Sequence, residues 1–227
     1  MRAVFGKLTY ASLKDKAAEE IRTAILDGRL RAGERIVERN LADQFSTSLT
    51  AMREALIELE AQGWVTKQPN RGTHVIEFSP AAIRDMFAFR RLVETAAFVE
   101  AARHGTDEDI AALKKAGADL MAAARAGRTR LYLQRDLELH EIVWRMAGNE
   151  YLAMALRRAI RPFFAFTVIV IRGKSPFDLE EDAALHLACI APIAAHDTRG
   201  TRTAFLEALE SWHDAARQPA FDTSTHD

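Results

Sequence analysis

Three histidines and one aspartate fall on the apolar faces of predicted helices. Asp136 and His140 are four residues apart, so their side chains project from the same face of one helix. His186 lies in the apolar stripe of a second helix, and His213 follows the apolar stripe of a third. One carboxylate and three imidazoles suit a divalent metal ion such as Zn²⁺, and they are also compatible with Ni²⁺ or Mn²⁺.

The same four residues have a simpler interpretation. A histidine on an apolar face is more often a hydrogen-bonded core residue than a metal ligand. Because all three histidines lie on inward faces of different helices, we keep the metal site as a hypothesis. A metal-dependent hydrolase with a DNA-binding appendage would be one consequence, since an open position on the ion could activate water. No spacing in the sequence, however, places a further general base.

The helices that carry these residues belong to a C-terminal region in which every predicted element is helical. Ser79-Pro80 begins the first helix with an N-cap and a proline in the first turn. Thr106 begins the next with acidic residues after it, and Ser175-Pro176 begins the helix of His186. We expect residues 78–227 to form an all-α bundle of six to seven helices.

The N-terminal region has a different pattern, in which two short amphipathic helices flank a polar break. Leu41 and Phe45 belong to the apolar face of the first helix, and Met52 and its neighbours repeat at helical spacing in the second. Ser48 is the expected N-cap of the second helix, and Gly63 follows its last periodic residue. This arrangement is typical of a helix-turn-helix, whose second helix can lie in the major groove of DNA.

Two short β-rich segments follow, joined by the turn-forming residues Pro69-Asn70-Arg71-Gly72. A hairpin in this position is a wing, and Arg71 beside a glycine at its tip could approach a phosphate closely. The alternative is an ordinary helical hairpin followed by a β-hairpin. The sequence therefore predicts a mainly α protein, with a winged helix-turn-helix over residues 1–77 and the helical bundle over residues 78–227.

Composition narrows the function classes. The 227 residues carry a formal net charge of −1, so overall charge gives little support to nucleic-acid binding, which must rest on local placement. The single cysteine, Cys189, excludes an intramolecular disulfide and fits a reducing compartment. The N-terminus lacks the apolar core of a signal peptide, and no apolar run is long enough to span a bilayer. We expect a cytoplasmic protein without a membrane partner.

Residues 10–76 resemble the winged helix-turn-helix of the GntR family of bacterial repressors. The residues that carry this resemblance are Leu26-Asp27-Gly28-Arg29-Leu30, Gly33-Glu34-Arg35-Ile36-Val37-Glu38, Leu41-Ala42, Ser48, Thr50, Arg53-Glu54-Ala55-Leu56, Leu59-Glu60-Ala61-Gln62-Gly63 and Arg71-Gly72. Residues 80–217 are similar to the FCD ligand-binding domain of the FadR-type branch. That similarity rests on Arg90-x-x-x-Glu94, Asp136-x-x-x-His140, Gly148-Asn149, His186 and His213.

The resemblance implies a ligand-responsive transcriptional repressor, not an enzyme, that binds palindromic double-stranded operator DNA as a homodimer. It also implies a small carboxylate effector and assigns the metal to Asp136, His140, His186 and His213. By family pattern Arg35, Thr50, Arg53 and Gly72 contact DNA, and Ser48 and Arg71 complete the predicted DNA-contacting set. A DNA-binding protein that responds to no effector is a further alternative.

Arg90 is the candidate for binding the effector carboxylate, because a guanidinium presents a planar fork to two oxygens. The alternative is that Arg90 forms only a surface salt bridge with Glu94.

The sequence departs from the family pattern at several positions. Leu49 replaces the usual arginine after the recognition-helix serine, Ser46 replaces glycine, and Ala51 replaces proline. An arginine that reads guanine contributes ~1–3 kcal/mol of discrimination, which Leu49 cannot provide, although it could contact a thymine methyl. Pro192 lies inside a predicted helix, where a bend would shift His186.

Overall fold

The computed structural model describes residues 13–171 and 178–216. The chain divides into two compact units between Val75 and Ile76. The prediction of a mainly α protein, with a winged helix-turn-helix followed by an all-α bundle, is confirmed. No helix in the described ranges is long and apolar enough to cross a membrane.

The N-terminal unit combines three helices with a small antiparallel sheet. Its elements in chain order are α1 (Leu13–Leu26), β1 (Arg35–Ile36), α2 (Glu38–Gln44), α3 (Leu49–Ala61), β2 (Val65–Gln68) and β3 (Gly72–Val75). The strand order is β1-β3-β2, with Arg35 opposite His74 and Val65 opposite Val75. The buried stripe of α1, which includes Ile21 and Ile25, lies on the side that packs against α3. The pairing of β1 with the hairpin was not predicted, because two residues carry no alternating pattern.

The turn between α2 and α3 is closed by backbone hydrogen bonds. The N–H of Thr47 donates to the carbonyl of Ala42 at 2.9 Å, and the N–H of Ser46 donates to that of Asp43 at 3.2 Å. This Schellman arrangement requires a left-handed residue at its centre, and Ser46 has φ +49°. Ser48 then caps α3 as predicted, since its hydroxyl accepts the N–H of Ala51 at 3.1 Å.

The C-terminal unit is entirely helical in its described parts. Its elements are α4 (Pro80–Phe89), a π-helical turn (Arg90–Glu94), α5 (Thr95–His104), α6 (Asp107–Arg125), α7 (Thr129–Met146), α8 (Glu150–Ile171), α9 (Leu179–Ala194) and α10 (Thr198–Ala216). The predicted start at Ser175-Pro176 lies outside the described residues, and the carboxylate of Asp178 caps α9. Pro192 lies near the end of α9, six residues after His186.

A π-helical turn interrupts the helix that Ser79-Pro80 begins. The turn spans Arg90–Glu94, it is wider than an α-helical turn, and both Arg90 and Glu94 are buried in it. The adjoining core joins α5, α7 and α8 through a cluster of buried apolar side chains. The cluster consists of Ala97, Trp144, Ala147, Ala153, Leu156, Ile160 and Phe164. The buried Arg90–Glu94 pair is therefore next to a well-packed apolar core.

Candidate functional site

Three of the four predicted metal ligands meet inside the bundle. Asp136 and His140 come from α7 and His186 from α9, and one ligand atom of each lies within 4.8 Å of the others. Nε2 of His186 is 2.8 Å from Oδ1 of Asp136, and Nε2 of His140 is 3.4 Å from the same oxygen. All three residues are buried. Their close approach follows from the packing of α7 and α9 within one bundle, which sequence spacing alone does not specify.

Hydrogen bonds on the far side of each imidazole fix its orientation. Nδ1 of His140 donates to Oε1 of Glu94 at 2.8 Å, and Nδ1 of His186 donates to the backbone carbonyl of Asp182 at 2.9 Å. Each Nε2 atom therefore faces Asp136. Neither Nε2 atom nor Oδ1 of Asp136 has a hydrogen-bond partner among the described residues, despite their short separations. Two imidazole nitrogens and a carboxylate oxygen around one point are an arrangement that fits a bound cation.

The charges of this group are strongly coupled in the metal-free protein. Burial favours the neutral form of His186, but the Asp136 carboxylate outweighs burial and raises the pKa of His186 to about 9. Burial also opposes ionisation of Asp136, yet His186 and His140 hold the pKa of that carboxyl below its usual range. Without a metal, a proton on His186 therefore supplies the positive charge that Asp136 requires.

Glu94 links the candidate effector residue to the candidate metal ligands. In addition to the hydrogen bond from His140, Glu94 accepts one from Nε of Arg90 at 2.6 Å and one from Nε1 of Trp144 at 2.9 Å. Burial would raise the pKa of Glu94, but Arg90 and His140 lower it to about 2. The Arg90–Glu94 pair considered from the sequence does form, but it is buried and does not lie on the surface.

Arg90 also faces a cavity of about 50 Å³ that the three candidate ligands help to line. Its Nη2 atom is buried and has no hydrogen-bond partner among the described residues. Aromatic rings surround the guanidinium, whose carbon lies 5.1 Å from the ring centre of Trp212 and 5.6 Å from that of Phe87. An uncompensated guanidinium donor beside a cation site favours an anion in this cavity.

His213, the fourth predicted ligand, lies outside the three-residue group, and its ring stacks on Phe87 at 4.7 Å. Trp212 and Asp182 are among the residues that line the cavity and that the sequence analysis did not assign. Trp212 directly precedes His213, so the phase of α10 decides which of them faces inward. Asp182 has a detectable signal, because Asp182-x-x-x-His186 repeats the spacing of Asp136-x-x-x-His140.

In the N-terminal unit, three of the predicted DNA-contacting residues line one groove of about 350 Å³. They are Arg35, Arg53 and Gly72, and Leu49 and Arg39 lie beside them. Arg39 is an exposed arginine of α2 that the sequence analysis did not select. The groove therefore combines three guanidinium groups with one carboxylate, that of Glu38, and with aliphatic side chains that include Leu49. The excess of guanidinium groups suits contacts with phosphates and base edges.

The predicted DNA-contacting residues differ in their contacts and in their exposure. Nε of Arg53 donates to Glu38 at 2.9 Å, so this arginine pairs with an acidic residue of α2. A Cβ atom placed on Gly72 would lie 3.5 Å from Nε of Arg35, so the arginine side chain lies close to the glycine backbone. Thr50 is exposed in the first turn of α3, and Arg71 is exposed between β2 and β3.

Comparisons with known proteins give the same division. Residues 13–75 match the family model described as bacterial regulatory proteins, gntR family, and residues 85–211 match that of the FCD domain. The HTH-type transcriptional regulator McbR of Escherichia coli is 21% identical over 205 residues, covering 90% of this chain and 93% of that protein. The gluconate operon transcriptional repressor of Bacillus licheniformis is 25% identical over 167 residues, covering 74% of this chain and 68% of the relative.

A solved structure shows the same fold. The chain is similar to E. coli McbR/YncC with a TM-score of 0.70 and 20% sequence identity, over 89% of this chain and 95% of the other.

Proposed function

The chain belongs to the gntR family of bacterial regulatory proteins and carries an FCD domain, and on this premise we propose that it is a metal- and effector-responsive repressor. Membership makes it a DNA-binding transcriptional regulator and not an enzyme. The finer proposal is that the helical unit binds a divalent metal ion and a small carboxylate, and that both set the affinity for DNA.

One observation carries the proposal for a metal. Three buried atoms, Oδ1 of Asp136 and Nε2 of His140 and His186, lie within 4.8 Å of one another, and their geometry is not that of hydrogen bonds. Zn²⁺ suits this donor set best, and Ni²⁺ and Mn²⁺ are compatible with it. When bound, the ion supplies a fixed positive charge and open coordination positions. The buried acceptors Glu94 and the carbonyl of Asp182 orient the two imidazoles for it.

The proposal for a carboxylate effector rests on Arg90. Its Nε atom is occupied by Glu94, whereas Nη2 remains as a buried donor beside the cavity. A carboxylate oxygen there would accept a hydrogen bond from that unsatisfied donor. The volume of about 50 Å³ favours a compact ligand.

The proposal for operator DNA rests on the groove of the N-terminal unit. Arg35, Arg53 and Gly72, with Ser48, Thr50 and Arg71 nearby in sequence, are the proposed contacts. One recognition helix reads too few base pairs for genomic specificity, so we propose a homodimer on a palindromic operator. The relative named as a gluconate operon repressor supports repression as the direction of control.

Two alternatives make different predictions. Neither family match supports a hydrolase, and zinc-dependent turnover of ester or amide substrates would be needed to revive that alternative. A DNA-binding protein without an effector would bind its operator equally well in every ligand state.

The test starts from DNA selected out of a random pool by the zinc-loaded protein. Its affinity for the selected DNA is measured at fixed salt for chelator-treated protein, zinc-loaded protein, and zinc-loaded protein with each member of a panel of carboxylates. We expect at least one carboxylate to change the affinity by about 5-fold to 150-fold, the usual range of allosteric coupling. Equal affinities in all states would contradict regulation through this site.

A further inference from the structure

Trp212 is the most exposed of the described residues that line the cavity. Eleven residues of the described chain line the cavity, and ten of them are buried. Trp212, on α10, is the half-buried one. Its indole therefore forms the part of the wall nearest to solvent.

The indole contacts the groups that would bind both the metal and the effector. Its ring lies 4.5 Å from that of His186 and 5.7 Å from that of His140, and the guanidinium carbon of Arg90 lies 5.1 Å from its centre. Trp212 therefore contacts two candidate metal ligands and the candidate effector residue at once.

Hydrogen bonds hold the indole in this position. Nε1 of Trp212 donates to Oδ1 of Asp182 at 2.6 Å. The other oxygen of Asp182 accepts the hydroxyl of the buried residue Tyr132. Asp182 is thus anchored from α7, and it positions a side chain of α10 over the cavity. These hydrogen bonds hold the indole in one position, so it is an ordered part of the cavity wall.

The size of the cavity limits what fits behind this wall. One water molecule requires roughly 10–15 Å³ of cavity volume. The cavity of about 50 Å³ therefore accommodates roughly three to five water-sized groups. Acetate, with four non-hydrogen atoms, is of that size. A longer carboxylate would have to extend toward solvent past Trp212, the half-buried residue of the described lining.

We propose that Trp212 is the specificity-determining residue of this site, which sets the upper size of the carboxylate that the cavity admits. The proposal rests on the proposed effector function. Asp182 is a positioning residue that acts through the indole. Replacing Trp212 with a small residue opens the cavity toward solvent, so longer ligands gain access while the fit to short ones is lost.

The test compares straight-chain monocarboxylates from acetate to hexanoate by their effect on the melting temperature of zinc-loaded protein. The wild type should respond to the shortest members and not to hexanoate. Trp212→Ala should respond to hexanoate and bind acetate about tenfold more weakly. Trp212→Phe, which keeps an aromatic wall, should retain the wild-type limit. Trp212→Leu serves the same purpose as the alanine variant if that variant does not fold.

The outcomes separate this proposal from the proposed function. An unchanged length limit in Trp212→Ala, with a wild type that does respond, would overturn the role of Trp212 alone. If the wild type binds zinc but no carboxylate, the proposed effector class is wrong. The rate at which a chelator removes zinc then tests whether Trp212 limits access to the cavity. Zinc loss at least tenfold faster in Trp212→Ala than in Trp212→Phe supports this role of Trp212, and equal rates overturn it.

Discussion

Nδ1 of His140 donates a hydrogen bond to Oε1 of Glu94 across 2.8 Å, between two residues that are 46 positions apart and both buried. This contact leaves Nε2 of His140 facing Asp136. Since Glu94 also accepts from Arg90, the same carboxylate orients a candidate metal ligand and holds the candidate effector residue. A change at Glu94 should therefore affect both functions of the site.

Glu94→Gln should weaken zinc binding by about 10-fold to 100-fold, the usual effect of losing an outer partner of a metal-bound histidine. It should also lower the free energy of unfolding by on the order of 3 kcal/mol, because Arg90 loses its buried counter-charge. Zinc titration and chemical denaturation measure the two effects.

Glu100→Gln is the matched control. Glu100 pairs with Arg103 and His104 on the exposed side of α5, where such pairs contribute at most about 1 kcal/mol. Equal losses in the two variants would contradict a special role for Glu94.

Zinc affinity should increase with pH up to about 9. The pKa of His186 in the folded, metal-free protein is raised from 6.5 to about 9, and a coordinating imidazole must be neutral. Between pH 6.5 and about 9, each zinc ion that binds must displace about one proton from His186. The apparent affinity for zinc should therefore rise roughly tenfold per pH unit. Calorimetric titrations in buffers of different ionisation enthalpy count the released protons. A titration curve that is already flat above pH 7 would contradict the Asp136–His186 pairing.

The free energy of unfolding of the metal-free protein should decrease with pH, whereas the zinc affinity increases. Because the folded pKa of His186 lies above its unfolded value, protonation stabilises the folded state fully below pH 6.5, and this stabilisation is lost as pH rises through about 9. Denaturation of chelator-treated protein across this range measures the loss. His186→Ala is the control, since it should remove this pH dependence.

Ser46→Gly should stabilise the N-terminal unit by about 0.5–1 kcal/mol. A left-handed backbone costs a residue with a side chain about 1–2 kcal/mol, which exceeds the greater chain entropy that glycine loses on folding. Ser46 has φ +49° in the turn between α2 and α3. Thermal or chemical unfolding measures the gain.

Ser48→Gly makes the same chemical change two residues later, at φ −74°. It should reduce stability by a few tenths of a kcal/mol, because the N-cap hydrogen bond to Ala51 is lost. A loss of stability in Ser46→Gly would show that the positive φ carries no strain.

Arg53→Ala should weaken binding to the selected DNA at least tenfold at fixed salt and reduce its salt dependence. Its pair with Glu38 is exposed, so stability should change by less than about 1 kcal/mol. Arg29→Ala is the matched control, because it removes an exposed arginine paired with Asp27 outside the groove. If both variants bind DNA like the wild type, Arg53 serves only the ion pair.

Local sequence patterns predicted the helices, the cap at Ser48 and the wing, because these features depend on residues close together in the chain. The same is true of Asp136 and His140, whose spacing sets their common direction. The π-helical turn could not be predicted, since Arg90 and Glu94 are also on one face of an ordinary α-helix. Their burial depends on packing against other helices, and the sequence therefore left a surface pair as an alternative.

The composition of the cavity depended even more on tertiary structure. Trp212 and His213 are adjacent, and the rotational phase of α10 decides which of them faces the cavity. Apolar periodicity fixes that rotation only approximately. The role of Asp182 depends on Tyr132, which lies 50 residues away, and no local pattern joins the two.

The central proposal is a metal ion bound by Asp136, His140 and His186, and zinc titration of chelator-treated protein tests it most directly. Wild type and His213→Ala should each bind one zinc ion per chain with similar affinity and melt at a higher temperature when loaded. His186→Ala should bind more than about 100-fold more weakly, since losing a direct ligand exceeds the effect of losing an outer partner. A wild-type protein that takes up no zinc, and melts at the same temperature with zinc and with chelator, would contradict the proposal.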